Sequence, residues 1–242
     1  MLTLDWNALF ASIQRCNAAY CEDEISTRRQ FAAMGAEVIA WCSDIQHQAV
    51  LSISADGVLT LTNAGTRMSE GNSYNAVADL WQDVDFTPLV VPGGRVAAGA
   101  HMRAQKTYPW ALEHLPDGQM LRVEGHSLGG QETHLAPLFI PAPRLHSMIA
   151  WEPPKAGDLA YYTSQRQTFA KCTTALNGSD PWMAWPWSEE TLQHPPGPLL
   201  WLHDGTWAWV KYEEWPGGSV LHFSDHDEGA VIAAVQRAML VG

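Results

Sequence analysis

Ser127 sits in Gly125-His126-Ser127-Leu128-Gly129-Gly130, a G-x-S-x-G arrangement. Glycines on both sides give the chain room to turn sharply around a hydroxyl. A serine hydroxyl is a weak nucleophile at neutral pH, so it needs a base within hydrogen-bond reach and an acid to orient that base. Asp180 is the acid candidate, because it follows the strand-like run Lys171–Asn177 and precedes Pro181. Two histidines compete for the base. His222 lies in the strand-like Val220–Phe223, and His226 lies in Ser224-Asp225-His226-Asp227-Glu228, just before the last helical run. A base on a loop can reach over the serine, so His226 is preferred, and the acidic residues Asp225, Asp227 and Glu228 would favour its charged form. The spacing His222-x3-His226 also suits metal ligands, but no clear third ligand accompanies it, so no metal is expected.

These groups need elements to hold them. Met120–Glu124 reads as a strand and the residues after Ser127 as a short helix ending before Pro137, which places the serine on a strand-to-helix turn. That turn aims the Leu128 N–H at an oxyanion forming on the substrate. Residues 5–45 read as mostly helical. Alternating runs over 48–63 flank Ala55-Asp56-Gly57 and predict a hairpin. Residues 73–86 and 101–114 read as helices, with a short strand near 94–98. Arg144–Trp151 and Lys171–Asn177 read as strands, Gly157–Thr168 as a helix, 181–198 as a Pro- and Trp-rich loop, and 228–240 as the last helix. Strands alternating with helices predict an α/β fold with a mostly parallel central sheet covered by helices on both faces.

Composition excludes several classes. Apolar residues make up 46% and charged residues 17%, which is globular and not disordered. The net charge of −12 argues against a nucleic-acid partner and against attraction to anionic lipid. No run of eighteen apolar residues predicts a transmembrane segment. The N-terminal run lacks the basic segment, apolar core and cleavage site of a signal peptide, so a cytoplasmic location is expected. Without such a signal, Cys16, Cys21, Cys42 and Cys172 read as thiols and not as a disulfide framework.

Several ordered signatures resemble the class 3, fungal-type lipases of the α/β-hydrolase superfamily. Asn17-Ala18-Ala19-Tyr20-Cys21 is similar to the family's first helix, and Asn63-Ala64-Gly65-Thr66 stands where the family carries Phe-Arg-Gly-Thr. Asp79-Leu80 resembles the Asp-Leu after the lid, and Gly99-Ala100-His101 lies where a His-x-Gly-Phe stretch leads into a helix. Gly125–Gly130 is the elbow. Trp151-Glu152-Pro153-Pro154-Lys155-Ala156-Gly157-Asp158 parallels Phe-Gly-Ser-Pro-Arg-Val-Gly-Asp, and Asn177-Gly178-Ser179-Asp180-Pro181 parallels the segment with the catalytic aspartate. The resemblance implies one α/β-hydrolase domain over residues 1–242 and a carboxylic ester hydrolase that needs no cofactor. Ser127, Asp180 and His226 would be catalytic, and the Thr66 N–H would join that of Leu128 in the oxyanion hole. His101, His126, Glu152 and His194 would have packing or orienting roles at most.

Residues 67–77 fill the family's lid position, but the segment is rather polar, with only Met68, Tyr74, Ala76 and Val77 apolar. A lid that opens on lipid should bury a broad apolar face. The expectation is therefore a short- to medium-chain ester substrate with little interfacial activation. Phospholipids or acetyl esters are open as substrates for the same machinery. A non-catalytic module that binds an acyl ligand or partner is the reading from another class. Seven of the twelve tryptophans lie between Trp182 and Trp215. Trp201, Trp207 and Trp209 read as packing. Trp182, Trp185 and Trp187 are divided between packing and an acyl-binding wall.

Overall fold

The computed structural model describes residues 4–43, 48–65, 85–187, 191–215 and 222–241. Its centre is an eight-stranded sheet in the order β1-β2-β3-β6-β7-β8-β9-β10. The strands are β1 (Ala36–Ser43), β2 (Gln48–Ser54), β3 (Leu59–Asn63), β6 (Leu121–His126), β7 (Leu145–Trp151), β8 (Cys172–Asn177), β9 (Pro198–His203) and β10 (Thr206–Lys211). A separate antiparallel pair consists of β4 (Pro88–Val91) and β5 (Gly94–Ala97). Strands β3, β6, β7, β8 and β9 run parallel in succession, and the outer pairs are antiparallel.

Alternation along β7 divides the core. Met148 faces a cluster with Val123, Leu61, Ala104 and Tyr108, which brings in the helix Ala98–Glu113. Ile149 and Trp151 face the other cluster, with Ile13, Cys16, Val231 and Val235 from the helices Trp6–Ala18 and Glu228–Met239. Both faces of the sheet are thus covered, as the alternation of strands and helices predicts. Asp5, Asp23, Asp158 and Asp227 cap helices by accepting backbone N–H groups.

The hairpin over 48–63 forms with Gly57 at φ 75. The helical reading of 5–45 holds for Trp6–Ala18 and Glu24–Ala33 but not for 36–43, which is β1. There Gly35 turns left-handed at φ 73, and burial then alternates from Ala36 to Ala40, a period of two and not 3.6. The strand expected near 94–98 is β5, and its partner β4 is not foreseen from sequence. The lid-like segment 67–77 and all but Asp85 and Phe86 of the helix expected at 73–86 lie outside the described residues. No helix among the described residues is long and apolar enough to cross a membrane, and none of the four cysteines is in a disulfide.

Candidate active site

Strand β6 ends at His126, Ser127 turns at φ 60, and the helix Leu128–Thr133 starts at the next residue. A β-carbon on Gly129 would strike the backbone oxygen of Asn63, and one on Gly125 would strike the backbone carbonyl of Gly129. The two glycines therefore allow the elbow to press against the end of β3. Leu128 is the first helical residue, so its N–H has no intrahelical acceptor and is available at the turn.

The structure brings Ser127, His226 and Asp180 into one chain of contacts. His226 Nε2 lies 2.9 Å from Ser127 Oγ, and His226 Nδ1 lies 2.8 Å from Asp180 Oδ2. Asp180 is fully buried, and its Oδ1 accepts the Trp182 N–H at 2.9 Å. His222 does not join this group. Its side chain is 57% exposed, and its Nδ1 lies 3.7 Å from Asp225. Three acidic residues around His226 have partners of their own. Asp225 accepts the Ser179 N–H, Asp227 caps the last helix, and Glu228 reaches His126 Nδ1 at 3.2 Å.

A second layer lies beneath this chain. His126, Glu152 and Asp180 are all buried, and the His126 and His226 rings lie 4.7 Å apart. Glu152 Oε2 is 3.1 Å from His126 Nε2 and 3.6 Å from His226 Nδ1. Its Oε1 accepts the Asn177 N–H at 3.1 Å. Tyr20 Oη lies 2.9 Å from His126 Nδ1 and accepts the Gly65 N–H at 2.9 Å. Burial by itself would lower the His126 pKa, but the charge of Glu228 and hydrogen bonds to Glu152 and Glu228 raise it to about 9. Burial would raise the Glu228 carboxyl, yet the charge and hydrogen bond of His126 bring it down to about 2. Burial and the charge of Asp180 push the Glu152 carboxyl well above the usual carboxylate range.

His126, Glu152 and His226 are the donors among the described residues that could converge on a metal ion, with ligand atoms within 4.8 Å of one another. The hydrogen bonds just described already engage each of them. Sequence reasoning gave Glu152 and His126 at most a supporting role and did not connect either with Glu228 or Tyr20. A charged residue at 152, where the similar family carries glycine, is the signal that could have found the layer.

Trp182 is buried against the site, with its ring 6.1 Å from that of His226 and 5.9 Å from Trp185. Leu128 and Trp182 form a small apolar cluster, with Phe86 and Trp185 packed against it. Trp187 contacts Trp185 and is 52% exposed. Trp207 and Trp209 pack on the core beside the first and last helices, and Trp201 donates to the Gly178 carbonyl at 2.8 Å. Thr66 lies outside the described residues. Gly65, just before it, has room for no β-carbon, which would lie 2.8 Å from Ser127 Cβ.

The chain has the α/β-hydrolase fold of the fungal lipases. A mutant of MDLA from Penicillium cyclopium superposes with a TM-score of 0.73 at 16% identity, covering 93% of this chain and 96% of that one. A lipase from Yarrowia lipolytica superposes with a TM-score of 0.71 at 15% identity, covering 94% and 95%. A triacylglycerol lipase whose catalytic centre is described as a serine protease triad gives 0.69 at 18% identity, covering 91% and 92%. No family model and no curated protein matches the chain in sequence.

Proposed function

We propose that this protein hydrolyses carboxylic esters through an acyl-enzyme on Ser127. The observation that carries the reading is the contact chain from Ser127 Oγ through His226 to Asp180, at 2.9 and 2.8 Å. Ser127 Oγ attacks the ester carbonyl carbon, and its proton passes to His226 Nε2. Asp180 accepts the Nδ1–H, which fixes the tautomer and stabilises the imidazolium as it forms. The N–H of Leu128, with that of Thr66 as the second donor, stabilises the oxyanion. The imidazolium then protonates the departing alkoxide. Water, deprotonated by His226, attacks the acyl carbonyl, and His226 returns the proton to Ser127 Oγ as the acid product leaves.

The fold's likeness to the fungal lipases, and the serine triad described for one of them, support this class of reaction. Leu128, Trp182, Trp185 and Phe86 make an apolar surface beside the serine that suits an acyl chain. The polar sequence of residues 67–77 favours short- to medium-chain esters over long-chain emulsions.

Hydrolysis of p-nitrophenyl esters of graded acyl length tests the proposal. Turnover is expected to be higher on butyrate and octanoate than on palmitate, without a jump when micelles form. S127A should lower kcat/KM by at least about 10³-fold. A variant as active as the parent would remove Ser127 from the chemistry.

A further inference from the structure

Two carboxylates face the same nitrogen of His226. Asp180 Oδ2 is 2.8 Å from Nδ1 and Glu152 Oε2 is 3.6 Å from it. The topology explains the convergence. Strands β6, β7 and β8 are parallel neighbours, and Ser127, Glu152 and Asp180 follow their C-terminal ends. Glu152 thus comes from the strand between those that carry the serine and the aspartate.

Glu152 is built in at a cost. Among the described residues it is one of three non-glycine residues with positive φ, at 48°, and Ser127 is another. A side chain in the left-handed region is strained, and such strain concentrates at functional sites. Its Oε1 is anchored by the Asn177 N–H, so Oε2 is left to lie between the two imidazoles. A lone carboxylate buried next to Asp180 would be unfavourable. His126 offsets part of that penalty with its charge, and Glu228 holds His126 charged from the opposite side.

We propose that Glu152 is a second acid for His226, a positioning residue that can hold the Nδ1–H, and with it the reactive tautomer, when Asp180 is absent. The idea rests on the ester-hydrolase reading. No covalent bond changes in the exchange. The proton stays on Nδ1 and only its acceptor differs. At 3.6 Å Glu152 is too far for a hydrogen bond, so Asp180 holds the proton in the parent protein. Removing the Asp180 side chain opens space beside Nδ1, and a shift of less than about 1 Å brings Oε2 within bonding distance.

The test compares kcat/KM on p-nitrophenyl butyrate for the parent, D180A, E152Q and the double variant, with S127A as the floor. D180A is expected to lose about 10- to 100-fold, well short of the roughly 10⁴-fold loss seen where a triad acid has no substitute. E152Q should lose less than about 10-fold, and the double variant should fall to the S127A floor. A D180A variant already at that floor, or a double variant no worse than D180A, overturns the proposal. If D180A does not fold, D180G is read in its place, since it also clears the space beside Nδ1. A second measurement needs no turnover. The low-field proton resonance of the His226 Nδ1–H, identified by its absence from His226→Gln, should persist in D180A and vanish from the double variant. Its loss from folded D180A would overturn the proposal. A parent without Ser127-dependent turnover would sink the esterase reading instead, and the resonance would still decide the role of Glu152.

Discussion

An added methyl group would act differently at two of this chain's glycines. At Gly57 a β-carbon would meet nothing within 4 Å, so only the φ of +75 opposes a side chain. At Gly129 the same carbon would strike the Asn63 backbone, which cannot move without lifting the end of β3 away from the elbow. G57A is therefore expected to lose about 1–2 kcal/mol in urea unfolding and keep its ester turnover. G129A should lose at least about 100-fold in kcat/KM, the cost of displacing a nucleophile by about 1 Å. A fully active G129A would mean that β3 does not hold the elbow. The chemistry of Ser127 was legible in the sequence because its requirements are local: two glycines, a strand before and a helix after. The layer made by Tyr20, His126, Glu152 and Glu228 was not. Its members are far apart in sequence and share no spacing, and only the sheet order brings them together.

Between elements, one buried ion pair ties the first helix to the sheet. Arg15 donates to Glu124 through Nε at 2.7 Å and Nη2 at 2.8 Å, and Thr62 donates to the same carboxylate at 2.8 Å. Arg15 lies on the helix Trp6–Ala18 and Glu124 lies on β6, three residues before Ser127. Removing one partner strands a charge in a dry core, whereas replacing both with apolar groups does not. R15M is expected to cost about 3–5 kcal/mol in urea unfolding, and R15M combined with Glu124→Leu to recover most of it. A loss below about 1 kcal/mol for R15M would show that water reaches Glu124. The elements themselves were readable where a local signal exists. Asp56-Gly57 marks the hairpin, and Pro181 marks the end of the β8 segment. Strand β1 was hidden by its neighbours: it follows two helices after a single glycine, and its alternation spans only a few residues before both faces become half-buried. The order Ser127, Asp180, His226 could be read along the chain, but the choice of His226 over His222 is decided by tertiary placement, since the two differ by one turn of chain.

Across the whole molecule, five histidine and carboxyl groups make stability depend on pH from both sides. His126 titrates at about 9 in the folded chain against an ordinary 6.5, so its contribution is complete below pH 6.5 and is lost as pH rises through about 9. Glu228, at about 2 against 4.5, contributes fully above pH 4.5 and loses that contribution as pH falls through about 2. His134 and His194 behave in the opposite way to His126. Burial holds them neutral until about 3 and about 4, so below pH 6.5 the unfolded chain takes up protons that the folded chain refuses. Each then removes about 1.4 kcal/mol of stability per pH unit. Glu152, whose carboxyl is pushed up by burial and by Asp180, opposes part of this acid loss. Differences between variants therefore carry the test better than the raw profile. His134 contacts Thr174 through Nε2 at 2.9 Å, and asparagine can keep a polar partner there without titrating. Between pH 6 and 4.5, His134→Asn should remove about 1.4 kcal/mol per pH unit from the slope of unfolding free energy. Between pH 6.5 and 9, His126→Gln should flatten the decline expected of the parent. Profiles parallel to the parent in both variants would mean that neither buried imidazole keeps a shifted pKa in solution.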